Sequence, residues 1–386
     1  MHKLNSQIEE ELISHGANLV GFADVTNLPV EMTVGLPRAI SIAVALEPDI
    51  VREISDGPTR HYFDEYRRLN SHLAELSERA VGIFKSVGRQ AEAFKATTEV
   101  FDPVNLSTRL QHKTIATRAG LGWIGKSALL ITKEYGPAVR LATVLTEAEF
   151  EVAEPINESY CGQCHKCLKA CPANAIKGQN WSLGTSRESI YNAFACRKTA
   201  RKLAEQEGIY VTICGICINV CPWTQRYLAK QNPGQKLRIT PATETDYEAV
   251  RELFKEYEAS LPFDLSFQKF QQEAENLPGR YAPPSGQLLL ARISEVPVGC
   301  VALRRIGNRI CEMKRLFVQP AFQRLGFGRM LAEAIIEEGR RIGYQRMLLD
   351  TVLEPAKSLY KSLGFKQIPP YQDVPIEGVI FMELEL

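Results

Sequence analysis

Eight of the ten cysteines in this 386-residue chain fall between Cys161 and Cys221, and the other two, Cys300 and Cys311, lie far downstream. No other feature constrains the fold as much, because its meaning depends on the redox state of the thiols. The N-terminus, Met1-His2-Lys3-Leu4-Asn5-Ser6-Gln7-Ile8-Glu9-Glu10, lacks the apolar stretch of a secretory signal. It reads as a helix with Leu4, Ile8 and Leu12 on one face and Gly16 as its stop. No segment reaches the roughly 18 consecutive apolar residues of a membrane span. A cytoplasmic location is therefore expected, with the thiols kept reduced. Crowded reduced cysteines point to metal rather than disulfides.

The spacing narrows the metal. Cys161-x2-Cys164-x2-Cys167-x3-Cys171-Pro172 is the bacterial ferredoxin run. In that run three close cysteines hold one cubane and the fourth ligates a second. The partner motif, Cys214-x2-Cys217-x3-Cys221-Pro222, lacks its first cysteine, since Val211 stands in that place. Cys196 is the spare candidate, reaching in from a helix expected around 189–203. Ferredoxin logic then gives one [4Fe–4S] cluster to Cys161, Cys164, Cys167 and Cys221, and a second to Cys171, Cys196, Cys214 and Cys217. Zinc also uses paired cysteines, but its sites close at four ligands and rarely show two CxxxCP endings. Two adjacent clusters suit an electron relay, although a purely structural staple remains the bland alternative.

The length leads one to expect two or three domains, at about 150 residues each. With 46 basic and 45 acidic residues, the chain carries no global charge favouring nucleic acid or anionic membrane. Residues 1–158 read as an α/β region. It has strands near 18–23 and 39–46, and a long amphipathic helix through Tyr62, Tyr66, Leu69, Leu73, Leu76, Ala80 and Ile83. Further strands at 129–132 and 139–145 are joined through Gly136-Pro137. Residues 159–228 hold the clusters, in a ferredoxin-like insert-type domain. A polar linker at 229–236 leads to a mixed α+β domain at 237–386.

In that last domain, Thr245-x-x-Glu248 is read as a capping box opening a helix with Val250, Leu253, Phe254 and Tyr257 on its apolar face. Strands are expected at 287–294, 298–306 and 310–318. The loop Gln323-Arg324-Leu325-Gly326-Phe327-Gly328 follows, then a helix with Met330, Leu331, Ala334, Ile335 and Ile336 inward, stopped at Gly343. Glycines there let backbone N–H groups at a helix start approach a pyrophosphate, with Arg324 adding charge. A dinucleotide fold is the rival reading, but the loop is QxxGxG rather than GxGxxG and its strands run as hairpins. Cys300 and Cys311 are most simply small buried residues of the sheet.

Two resemblances rest on these motifs. Ala119-Gly120-Leu121-Gly122-Trp123-Ile124-Gly125-Lys126, Gly136-Pro137 and the split double-cluster motif ending Cys221-Pro222-Trp223 resemble the epoxyqueuosine reductase family over about residues 1–228. That resemblance implies a corrinoid (cobalamin) beside the clusters, a cavity lined by Gly122, Trp123 and Lys126, and a catalytic Asp for which Asp102 is the nearest candidate. It also implies an electron donor such as ferredoxin or flavodoxin. The tRNA partner of that family is not favoured, because the helical repeats that grip tRNA are missing. His112-Lys113 marks a shorter branch of the family. The QxxGxG loop followed by Leu359-Tyr360-Lys361-Ser362-Leu363-Gly364-Phe365 resembles the GNAT N-acetyltransferase superfamily over 237–386. It implies acetyl-CoA held by Phe317, Val318 and residues 323–328, Tyr360 as general acid, Glu312 as base, and a small-molecule or peptide amine as acceptor.

Overall fold

The computed structural model describes residues 2–96, 102–231, 237–265, 268–293 and 295–386. The chain forms two compact units, Met1–Gln231 and Asn232–Leu386. The expected linker begins inside a helix that runs to Lys230, and its residues 232–236 lie outside the described residues.

The first unit is built on a four-stranded sheet, β1 (Leu19–Asp24), β2 (Arg38–Ala45), β3 (Ala91–Phe94) and β6 (Val139–Thr146), in the order β1-β2-β6-β3. Every pairing is antiparallel. Helix α1 (His2–Ser14) and the 27-residue α2 (Arg60–Ser86) cover one face. The predicted four-and-three spacing delivers Tyr62, Leu69, Leu73, Leu76 and Ala80 to the core, and Thr59 caps α2 through the Tyr62 N–H. On the other face, α3 (His112–Arg118) packs Ile115 and Ala119 against Ala23, Ala39 and Leu145. The predicted strand at 129–132 does not join this sheet. Leu130–Ile131 pairs instead with Trp123–Ile124 in a separate two-stranded ladder.

The cysteine segment is not a detached insert. Ile209, Ile213, Ile218, Tyr227 and Leu228 share one core cluster with Ile8, Leu12, Ile54 and Phe84. Tyr227 Oη donates to Leu46 O at 2.9 Å, and Asn219 Nδ2 to Val51 O at 2.8 Å. Burial of these side chains stabilises the cysteine-bearing loops and the sheet as one body.

The second unit is a seven-stranded mixed sheet of order β12-β13-β11-β10-β9-β8-β7. Its strands are β7 (Arg238–Pro241), β8 (Gln287–Ile293), β9 (Val296–Gly307), β10 (Ile310–Val318), β11 (Arg346–Thr351), β12 (Lys366–Ile368) and β13 (Ile380–Glu385). The capping box forms two residues earlier than predicted, with Thr243 and Asp246 bonded reciprocally. A short 3-10 turn at Glu244–Asp246 then enters the helix Tyr247–Ser260. The helix after the glycine loop, Phe327–Ile342, buries Leu331, Ala332, Ile335, Ile336 and Gly339. Met330, expected inward, is exposed. Gly343 at φ +97° ends that helix as predicted.

Gly136 adopts φ +60°, and a Cβ there would lie 2.4 Å from Thr224 N. The turn therefore clamps the start of the helix Pro222–Lys230, directly after Cys221. Gly136→Val is expected to destabilise the first unit by about 3 kcal/mol or more. A chemical-denaturation midpoint unchanged from the parent would refute this.

Candidate functional site

The thiols of the first unit fall into two sets by mutual influence. Burial and the neighbouring Cys164 and Cys161 push the Cys167 thiol up to about 12. Cys221 is raised by burial and by Cys161 and Cys164. In the other set, Cys196 is raised by burial, Cys171 and Cys214, and Cys217 by burial, Cys214, Cys196, Cys167 and Cys171. Most thiols thus feel members of their own expected set, although Cys217 also feels Cys167, and Cys196 stands on the helix Ala193–Gln206.

Among the described residues, no three His, Cys, Asp or Glu side chains lie close enough to hold a single metal ion. A tetrahedral zinc would hold its sulfurs about 3.8 Å apart, whereas a cubane spreads its four ligands more widely. Buried thiols raised by their neighbours need a compensating cation to ionise, and iron would supply it. The surroundings fit that purpose. Trp123 and Trp223 meet edge-on at 5.2 Å, inside an apolar cluster that includes Cys161 and Cys221. The buried Trp123 Nε1 has no hydrogen-bond acceptor among the described residues, and a cluster sulfide beside it would satisfy this donor.

The motif residues expected to line a cofactor cavity do other work. Gly122 permits close strand approach, since a Cβ would fall 2.1 Å from Ile131 O. Trp123 is fully buried. Lys126 lies against the first thiol set, with Nζ 3.4 Å from His165 Nε2; burial lowers its pKa while Cys161, Cys164 and Cys167 oppose the shift. Asp102 sits in an exposed turn. Its carboxylate accepts the Val104 and Asn105 N–H groups and Asn105 Nδ2, which hold its pKa down. In this turn the carboxylate serves as a cap.

A cavity of about 920 Å³ lies elsewhere, between α3 and the segment 181–191. Its wall carries His112, Lys113, Arg118, Arg140, Trp181, Arg187 and Tyr191, but not Gly122, Trp123, Lys126 or Asp102. Tyr191 also borders the second thiol set, since Cys196 and Cys217 help burial raise its pKa. His112 accepts from Thr143 Oγ1 (2.9 Å) and donates Nε2–H to Lys95 O (2.9 Å), and burial drops its pKa to about 4. It is a neutral, fully engaged imidazole. The sequence signal for this wall was the His112-Lys113 pair; nothing in the spacing singled out Arg118, Arg187 or Tyr191.

In the second unit, β10 and β11 pair in parallel only from Ile310–Arg346 to Glu312–Leu348. Beyond that point the strands diverge, and a cleft opens between Met313–Leu316 and Asp350–Leu353. A bulge between Lys314 and Phe317, with Arg315 at φ +58°, turns β10 at the same place. Its edge through Phe317 and Val318 has no strand partner on the β11 side among the described residues. At the mouth, Gln323 Nε2 donates to Val318 O (3.0 Å). Arg324 at φ +61° and Gly326 at φ +83° then lead into the helix that starts at Phe327 and Gly328, with Leu325 between them. Loop residues Gln323, Arg324 and Gly326 are exposed.

Tyr360 lines the cleft, packed on Phe365 at 5.6 Å. Burial, Tyr257 and Asp350 raise its pKa, so it keeps its proton at neutral pH. Glu312 does not line the cleft. It is wholly buried behind it, accepting from Arg304 Nε (2.6 Å), Tyr371 Oη (2.8 Å) and Gln372 Nε2 (3.3 Å), with Lys314 Nζ at 3.7 Å. A carboxylate so enclosed has no access to an amine, which corrects the expected base. The carboxylate that does reach the cleft is Asp350, paired with Lys314 Nζ at 2.8 Å. Removing Glu312 would strand the Arg304 charge. Glu312→Ala is expected to cost about 3–5 kcal/mol, read as a fall in the melting temperature of the second unit. A melt equal to the parent's would contradict this.

Comparison with known proteins follows the same division. Residues 247–365 match the acetyltransferase (GNAT) family, and residues 160–224 match the 4Fe-4S double cluster binding domain. An uncharacterized N-acetyltransferase of Schizosaccharomyces pombe is 41% identical over 145 residues, which are 36% of this chain and 89% of that protein. The epoxyqueuosine reductase of Synechocystis is 34% identical over 120 residues, 31% of this chain and 41% of that protein. The chain thus spans less than half the length of that reductase. The catabolic reductive dehalogenase NpRdhA superposes with a TM-score of 0.44 at 19% identity, over 56% of this chain and 31% of that one. Among the described residues no helix is long and apolar enough to cross a membrane. Through its second unit the chain belongs to the GNAT acetyltransferase family, and it carries in the same polypeptide an epoxyqueuosine-reductase-like 4Fe-4S double cluster domain.

Proposed function

We propose a bifunctional enzyme: an iron–sulfur redox unit that reduces a substrate in the cavity of about 920 Å³, joined to an N-acetyltransferase that uses acetyl-CoA on an amine. The observation that carries the redox half is the gathering of eight thiols that influence one another, with Cys196 and Cys217 bordering the cavity through Tyr191. Two [4Fe–4S] clusters would supply one-electron carriers, filled by a ferredoxin or flavodoxin. Cys161, Cys164, Cys167 and Cys221 would hold one, and Cys171, Cys196, Cys214 and Cys217 the other. Trp123 and Trp223 keep water from the first set, and Lys126 sets a positive charge beside it. Two electrons and two protons entering the cavity reduce the substrate, and the donor protein is oxidised. The corrinoid implied by the resemblance lacks comparable support, because the residues nominated for it are absent from the cavity wall. The proposed chemistry does not require it.

For the transferase half, the supporting observation is the cleft opened where β10 leaves β11. The free edge at Phe317 and Val318 would pair with the pantetheine arm as an added strand. The N–H groups of residues 323–328 would take the pyrophosphate. The acceptor amine attacks the thioester carbonyl, Asp350 accepts the ammonium proton through water, and protonated Tyr360 donates to the departing thiolate.

Two outcomes test these assignments. Anaerobically isolated protein is expected to hold about eight irons per chain, and Cys196→Ser about four, measured by iron and sulfide analysis with EPR. A colourless, zinc-containing protein would sink the redox half. Tyr360→Phe is expected to lower kcat for thiol release about 10²-fold with KM for acetyl-CoA little changed. Equal turnover by parent and variant would remove Tyr360 as the acid.

A further inference from the structure

The cavity of the first unit has an unbalanced wall. Its charged or titratable lining groups include His112, Lys113, Arg118, Arg140, Arg187 and Glu188. His112 is neutral. Glu188 is exposed and spent on Arg187 Nε at 2.9 Å. Arg187 also donates from Nη1 to Leu106 O (2.9 Å) and from Nη2 to Asn105 O (2.7 Å), which fixes the guanidinium in place. Arg140 is held by Asn70 Oδ1 (2.8 and 3.1 Å) over the Tyr66 ring. Asn70 is a neutral acceptor, and its two bonds fix the place of the guanidinium.

Lys113 and Arg118 have donors to spare. Lys113 Nζ bears three N–H groups, and the bond to Ala128 O at 2.5 Å uses one. The ammonium is ringed by protein, and burial with the nearby Arg187 charge lowers its pKa to about 8. Its side chain nonetheless keeps partial access, because its free surface opens on the cavity. Arg118, one turn along α3 on the same wall, makes no hydrogen bond or ion pair among the described residues. Among the described lining residues, Lys113, Arg118, Arg140 and Arg187 face the one carboxylate of Glu188, so positive charge predominates around the space.

We propose that this cavity binds a small organic anion, a phosphate ester or a carboxylate, with Lys113 and Arg118 as its direct anchors and Arg187 and Arg140 on the wall behind them. The volume suits a ligand of ordinary small-molecule size. Trp181 and Tyr191 give it an aromatic wall. This rests on the redox reading for its purpose, since Tyr191 borders the second thiol set, but the binding itself needs only the wall.

The test uses the full chain, anaerobically isolated with its metal content measured, and phenyl phosphate against its uncharged counterpart phenol. All three tryptophans, Trp123, Trp181 and Trp223, lie in the first unit, so their emission reports this unit and not the transferase. Phenyl phosphate is expected to bind at least about tenfold tighter than phenol, with affinity falling as salt rises. Lys113→Gln and Arg118→Gln are each expected to weaken it about tenfold or more, at unchanged iron content. Arg118→Lys, which keeps the charge, is expected to retain most of the affinity. Phenol binding within about twofold of phenyl phosphate, or anion binding indifferent to both Gln substitutions, would overturn the proposal. So would hydroxocobalamin displacing phenyl phosphate with an affinity that neither substitution alters. Normal iron with no anion binding would discard this inference alone; missing iron with intact anion binding would discard the cluster reading alone.

Discussion

Packing eight sulfur donors into the interior of a small unit is costly unless a metal neutralises them, and the first unit is organised around that cost. Burial raises the thiols of both sets, and neighbouring sulfurs raise them further. The segment carrying them contributes Ile209, Ile213, Tyr227 and Leu228 to the core that seats α1 and α2. The loops that present the cysteines are therefore held by the same apolar burial that holds the sheet. Stability of the fold and geometry of the donor sets are one problem with one solution.

The second unit settles a different electrostatic question. Glu312, Arg304, Lys314 and Asp350 form a chain of buried ion pairs beneath the point where β10 and β11 separate. Glu273 and Arg315 form another beside the bulge. Each charge there has an opposite partner, so the strands can diverge without leaving an orphan. The exposed glycine-bearing loop lies beyond these pairs, at the mouth of the cleft.

Much of this was legible from the residues. The period of apolar positions gave the buried face of α2, and the strand Ile310–Val318 to the residue, because burial enforces those periods. The ferredoxin spacing together with one missing cysteine was enough to draw in Cys196 from a separate helix. What escaped was long-range. The Trp123-containing motif looked like a cofactor lining, but Gly122 serves strand contact and Trp123 faces the thiols. Glu312 has the right strand for a base, yet its exposure depends on Arg304 and Tyr371, the latter 59 residues away. The cavity wall joins α3 to residues 181–191, and no local pattern announces a contact made across that separation.

The crossing of the two thiol sets has a consequence for biosynthesis. In the proposed assignment Cys221 joins Cys161, and Cys217 joins Cys171. A ribosome that has released the first four cysteines has still not delivered a complete quartet. The second quartet would be complete only at Cys217 and the first only at Cys221, at the start of the helix Pro222–Lys230, so both would close within the same short stretch of synthesis.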